Sequence, residues 1–220
     1  MRKAYHEQLE TLHQSLTEMG NLCAQAVSLA VQAVTQGAGE LAQRAVEVDE
    51  RIDKMEREIE SLCLKLLLQQ QPVATDLRVI SSALKMISDL ERIGDQAADI
   101  AEISRFAVGG ADKTASDLRE MAQDTVKMVN ESVDAFVKRD LVMAREVIAY
   151  DEVVDGWFDR IKNDLIAAIA ADNTQGERYL DLLMVAKYLE RIGDHATNVA
   201  EWVEYSILGR RSKDGIMPEN

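Results

Sequence analysis

A thirteen-residue stretch occurs twice in this chain. Residues 90–102 read LERIGDQAADIAE and residues 189–201 read LERIGDHATNVAE, identical at 9 of 13 positions without a gap, with Arg191 standing 99 positions after Arg92. A long-range repeat of this kind constrains the architecture before any single residue is interpreted, because two copies of one sequence unit imply two copies of one structural unit. In the first copy Leu90, Ile93, Ala97, Ile100 and Ala101 fall on one face at helical spacing,. Glu91, Asp95, Asp99 and Glu102 form an acidic stripe beside it. Like charges at i,i+4 on a helix oppose each other by about 0.2–0.5 kcal/mol per pair, so such a stripe requires a compensating partner or full solvation. Gly94 and Gly193 stand inside the helical pattern, where glycine costs about 0.5–1 kcal/mol relative to alanine,. Close approach of another backbone or of a bound group accounts for that cost; a mild kink is the alternative.

The rest of the chain predicts an all-α protein. Aromatic residues make up 5% of the 220 residues, and the only prolines are Pro72 and Pro218, so almost nothing interrupts helices. Hydrophobic residues at 47% and charged residues at 29% give the balance of a globular protein with a substantial core,. The formal net charge of −14 excludes nucleic acid as a general partner, since a phosphate backbone needs a basic surface,. It favours cations or basic protein surfaces. No apolar run approaches the roughly 18 residues of a membrane span, and the N-terminus MRKAYHEQLE has no apolar signal core,. Cys23 and Cys63 lie among apolar helical neighbours and are expected to be reduced core thiols, which points to the cytoplasm,.

Six helices follow from periodicity and punctuation. The first covers residues 3–35, with Leu9, Leu12, Leu16, Met19, Cys23, Ala26 and Ala30 alternating three and four apart,. Gln36-Gly37-Ala38-Gly39 ends it,. The second covers 40–70, the third 76–107 after a turn at Pro72 with Thr75 as N-cap,. Val108-Gly109-Gly110-Ala111-Asp112 is the clearest break. The fourth helix follows Thr114, which pairs with Asp117 as a capping box, and ends near Lys138,. Asp140 caps the fifth, which runs to 171; Thr174 and Glu177 form a T-x-x-E box that opens the sixth, ending near Gly209,. The expected organisation is two tandem pseudo-symmetric three-helix bundles, residues 1–107 and 113–208, joined by a linker at 108–112 and followed by a disordered tail at 209–220.

Short turns make consecutive helices antiparallel. About a turn centred on Pro72, Asp49 comes level with Asp95 and Asp53 with Glu91. About a turn between Asp172 and Asn173, Asp151 comes level with Asp194 and Asp155 with Glu190. Both halves thus place a D-x-x-x-D level with an E-x-x-x-D. Four carboxylates at one level raise each other's pKa unless a cation joins them. The expected metal ligands are Asp49, Asp53, Glu91 and Asp95 with Asp99 in the first half, and Asp151, Asp155, Glu190 and Asp194 with Asn198 in the second. Oxygen-rich ligand sets suit hard or borderline ions, so the expected cofactor is iron, manganese, magnesium or zinc. A solvated acidic face neutralised by Arg92 and Arg191 is the plainer reading. The halves differ: Phe158 and Lys162 stand where the first half has Glu56 and Glu60, and Asn198 replaces Asp99. His195, Trp157 and Trp202 are expected to be polar or packing residues rather than ligands.

These motifs resemble the PhoU family, the accessory and regulatory proteins of bacterial phosphate-specific transport. The resemblance covers nearly the whole chain and rests on both LERIGD helices, the Asp49/Asp53 and Asp151/Asp155 pairs and the Asp76-Leu77-Arg78 run. It implies two three-helix bundles with multinuclear metal clusters at the four acidic motifs. It also implies a non-enzymatic repressor of phosphate-starvation signalling that contacts a sensor histidine kinase and the transporter ATPase at the membrane surface, and that forms a homodimer. Two other classes compete. A ferritin-like carboxylate-bridged enzyme needs two inward E-x-x-H motifs, and only Glu10-Thr11-Leu12-His13 is present,. A metal-free helical adaptor needs none. No nucleophile–base pair or phosphate-cradling glycine loop is visible.

Overall fold

A computed structural model describes residues 2–70, 72, 75–105 and 113–211. Six long helices dominate it: α1 (Arg2–Gln36), α2 (Gly39–Gln70), α3 (Thr75–Ile103), α4 (Lys113–Lys138), α5 (Leu141–Ala171) and α6 (Gly176–Leu208). Among the described residues there is no strand. The linker at 108–112, most of the turn around Pro72 and the tail from residue 212 lie outside the described residues.

Local chemistry sets most boundaries. Gly37 takes φ 67°, the left-handed conformation that releases α1 into α2, and Ala38 N–H returns to the Ala33 carbonyl,. Asp140 accepts from the backbone N–H groups of Val142 and Met143 and so caps α5,. Gly209, at φ 77°, ends α6 with its N–H bonded to the Tyr205 carbonyl. Four expected boundaries differ, the first being that Thr75 opens α3 as its first residue rather than capping it from outside. The third helix stops at Ile103 rather than 107, and Thr114 lies inside α4 rather than before it. Thr174 does not cap α6. A 3₁₀ turn, Asn173–Gln175, precedes that helix, and Asp172 caps the turn by accepting from both the Thr174 N–H and its hydroxyl. Asp is the better acceptor here because its charged oxygen takes two donors at once.

Each half is a three-helix bundle, α1/α2/α3 and α4/α5/α6, and the halves meet broadly through α1 on α4 and α3 on α6. Helices α1, α3, α4 and α6 therefore carry the interior, with α2 and α5 laid on either side. Gly20 lets α1 and α4 approach closely: a Cβ there would sit 3.0 Å from Val133 Cγ2. The buried side chains form one continuous cluster, with Leu12, Leu16, Ile52, Leu90, Met121, Met128 and Leu189 all fully excluded from solvent. Thr125 and Ser132 are buried on α4 because their hydroxyls donate to the carbonyls of Met121 and Val129 in the preceding turn,. Cys23 and Cys63 are free and buried, as expected. No helix among the described residues is long and apolar enough to cross a membrane.

Because the core is shared, the two halves should unfold together. Leu90→Ala and Leu189→Ala, one in each half, are each expected to lower stability by about 2–5 kcal/mol within a single urea transition followed by circular dichroism. Leu68→Ala, at a side chain 81% exposed, should change it by less than about 0.5 kcal/mol. Two separated transitions would show that the halves fold independently.

Candidate metal centre

The acidic stripes of α2 and α3 meet where the two helices come closest. Gly94 sits in α3 facing α2, and a Cβ on it would lie 2.5 Å from Asp49 Oδ1 and 3.0 Å from Ile52 Cδ1. Its missing side chain is thus filled by the Asp49 carboxylate and by Ile52, which settles the glycine in favour of close approach. One oxygen from each of Asp49, Asp53 and Asp95 lies within 4.8 Å of the others. Asp49 Oδ1 is shielded from solvent and has no hydrogen-bond partner. A buried carboxylate oxygen without a protein donor is unfavourable by itself; a cation at this point would satisfy it.

The electrostatics agree. Burial, then Asp53, Asp95, Glu91 and Asp99 in that order, push the Asp49 carboxyl up to about 6. Burial also raises Glu91, with Asp95, Glu56 and Asp53 adding to it. Glu56 is raised by burial and by Glu60 and Asp53, which brings it into the same group. Arg57 and Arg92 oppose the rise at Glu56 and Glu91 without cancelling it,.

Asp99 stands at the edge of this group and looks two ways. Burial, Asp95 and Glu102 raise it, while a hydrogen bond from the Tyr188 hydroxyl and the Arg191 charge, both from α6, oppose the rise. The equivalent contact runs the other way: Asp89 of α3 meets His195 Nδ1 at 3.0 Å and accepts from Asn198 Nδ2 at 3.2 Å. Asp89 and Tyr188 are equivalent under the 99-residue repeat, as are Asp99 and Asn198. The α3–α6 seam is therefore antiparallel and pseudo-two-fold. Asn198 is committed to Asp89 in that seam, and His195 is a seam residue too.

The second half repeats the frame with different contents. A Cβ on Gly193 would meet Val154 Cγ1 at 3.3 Å and Asp151 Oδ1 at 3.4 Å, a looser fit than at Gly94. Glu190 is paired with Lys187, and Asp155 and Asp194 are exposed on α5 and α6. Among the described residues no second set of three ligand atoms gathers as closely as Asp49, Asp53 and Asp95. Three contributors were not singled out from sequence: Tyr188 and Asp89 in the seam, and Lys187 beside Glu190. The repeat offset was a usable signal for Tyr188, since it aligns with the acidic Asp89. Trp157 and Tyr150 both donate to Asp124 of α4 at 2.8 Å and are packing residues. The lone E-x-x-H lies elsewhere: His13 meets Phe136 of α4 edge-on at 5.8 Å between ring centres.

Comparison with known proteins bears on the whole chain. The family pattern for the PhoU domain matches twice, over residues 16–104 and 118–203. A phosphate-specific transport system accessory protein PhoU homolog of Clostridium acetobutylicum is 36% identical over 212 residues, covering 96% of this chain and 97% of that protein. The crystal structure of PhoU from Pseudomonas aeruginosa superposes with a TM-score of 0.87 at 36% identity, covering 93% of this chain and 99% of that one. The phosphate transport system regulatory protein PhoU from Streptococcus pneumoniae gives 0.85 at 26% identity over 94% and 98%. With both repeats matched and relatives aligned from end to end, the chain belongs to the PhoU domain family.

Proposed function

We propose that this protein is a cytoplasmic, non-enzymatic regulator of phosphate uptake and a repressor of phosphate-starvation signalling, acting as a homodimer on the phosphate-specific transporter ATPase and its sensor histidine kinase. The full-length likeness to proteins named as accessory and regulatory components of phosphate-specific transport supports the role. The observation that carries the mechanism is the α2–α3 carboxylate group around the partnerless Asp49 oxygen. Asp49, Asp53 and Asp95 would hold an iron, manganese, magnesium or zinc ion, with Glu91 and Glu56 beside them and Asp99 at the edge. The bound ion supplies positive charge to an otherwise self-repelling face. What this chain's residues do is hold that face rigid: Gly94 brings α2 onto α3, and Tyr188 and Arg191 steady Asp99 from the other half.

A protein of this kind acts by binding one state of a partner better than another. A net charge of −14 favours basic partner surfaces and makes association sensitive to salt,. Neutralising the α2–α3 face with a metal ion changes which surfaces it accepts. Peripheral association with membrane complexes follows from such contacts.

Three measurements test this. Asp95→Asn is expected to weaken manganese binding at least tenfold by calorimetric titration of chelator-stripped protein, with the circular dichroism spectrum unchanged; binding as tight as in the parent rules out the site. The pH dependence has a defined sign. Asp49 has a folded-state pKa near 6 against 3.8 for the free side chain, so the folded protein holds this proton more tightly than the unfolded chain. The stability from that proton is complete below 3.8 and is lost as pH rises through about 6. Metal-free protein should therefore lose melting temperature from this group between about pH 4 and pH 6, an effect that Asp49→Asn removes and saturating manganese suppresses. In cells, deletion should switch on phosphate-starvation genes in abundant phosphate, and normal repression in the deletion strain would refute the regulatory assignment.

A further inference from the structure

The two halves share a backbone frame but not a charge balance. On the α2–α3 face the repeat positions carry Asp49, Asp53, Glu56, Glu60, Glu91, Asp95 and Asp99, with Ser88 one turn before Glu91. On the α5–α6 face the same positions carry Asp151, Asp155, Phe158, Lys162, Glu190, Asp194 and Asn198, with Lys187 in place of Ser88. The α5–α6 face has three fewer carboxylates and two more ammonium groups; Phe158, Lys162 and Lys187 gather at one place, while Asn198 belongs to the seam.

The side chains use those changes together. Lys187 Nζ donates to Glu190 Oε2 from one helical turn away. The same nitrogen lies 5.3 Å from the centre of the Phe158 ring, and Lys162 Nζ lies 5.3 Å from that ring as well. An aromatic face attracts a cation, so Phe158, standing where Glu56 stands in the other half, holds two ammonium groups beside the acidic motif. Lys162 is also held by Asp159. Lone surface ion pairs are common and contribute little. Here the α6 pair is backed by the Phe158 ring of α5, at the position where Glu56 joins the acidic group of the other half.

We propose that Lys187, backed by Lys162 and Phe158, is a built-in counter-ion that replaces a metal ion in the α5–α6 half, so that metal binding is confined to the α2–α3 half. A tethered ammonium places one positive charge against the carboxylate that a metal ion would otherwise use, and a second cation brought there meets two fixed positive charges. The contrast with α2–α3 rests on the metal reading given above; the counter-ion role of Lys187 does not.

The test uses full-length protein stripped with chelator and titrated with manganese chloride, read by calorimetry and by melting temperature. Asp49→Asn/Asp53→Asn is expected to abolish manganese binding, leaving none for α5–α6; residual binding that Asp151→Asn removes would overturn the proposal. Ser88→Lys leaves every carboxylate in place but copies the Lys187 arrangement. It is expected to weaken manganese binding at least tenfold and to raise the melting temperature of metal-free protein by about 2–4 °C. Ser61→Lys, on an exposed part of α2, controls for net charge and should do neither. Lys187→Ser should lower the metal-free melting temperature at low salt, with the loss shrinking as salt is added. If the parent protein takes up no manganese, the metal reading fails and the metal-free melting temperatures decide alone. A rise in Ser88→Lys beyond that of Ser61→Lys then supports the counter-ion role, and its absence overturns it.

Discussion

Carboxylates held level on two closely packed helices repel one another, and much of this molecule is arranged around that repulsion. Gly94 permits the approach by giving its side-chain volume to the Asp49 carboxylate and to Ile52. The hydrophobic contact of α2 with α3 then holds the charges together, and Asp49 rises to about 6 in response. A buried aliphatic side chain such as Ile52 contributes about 1.5–3 kcal/mol, whereas each like-charge pair on a helix surface opposes by a few tenths. Packing therefore wins, and the strain remains local as an unsatisfied oxygen rather than as a separation of the helices.

The shared core determines what a change at this site does elsewhere. Because α3 lies against α1, α2 and α6, the acidic face is built on the same helix that joins the two halves. Asp99 is the connecting residue: its carboxyl belongs to the acidic group on one side and accepts from Tyr188 of α6 on the other. A cation that draws Asp95 and Asp99 inward competes with that bond.

The internal symmetry is close in backbone and relaxed in chemistry. The seam keeps matching pairs, Asp89 with Asn198 and Asp99 with Tyr188, at equivalent places, since a packed antiparallel interface tolerates little change in volume. The outer faces bear no such constraint. There one half carries a carboxylate cluster and the other carries lysines and a ring.

Much of the architecture is legible in the residues alone. The 3.6-residue period, the glycines after α1 and α6 and the scarcity of proline specified six helices, and the repeat specified their grouping into two bundles. Antiparallel pairing about a short turn placed Asp49 level with Asp95, because neighbours across a hairpin depend only on the turn between them. Tertiary structure decided what depends on helices distant in the chain. Asn198 was legible as the partner of Asp99 in the repeat, yet its amide turns to Asp89, 109 residues away, because the rotation of α6 against α3 is set by packing around the whole core. The cap of the sixth helix was misplaced for a smaller reason: Asp172 takes both the N–H and the hydroxyl of Thr174 and caps a 3₁₀ turn ahead of the helix, which only the geometry of that turn shows. The division of charge between the halves was partly visible as Phe158 and Lys162. That Lys187 joins them at one ring emerged only when α5 and α6 were placed side by side, since no periodicity within one helix records which side chain of its neighbour it will meet.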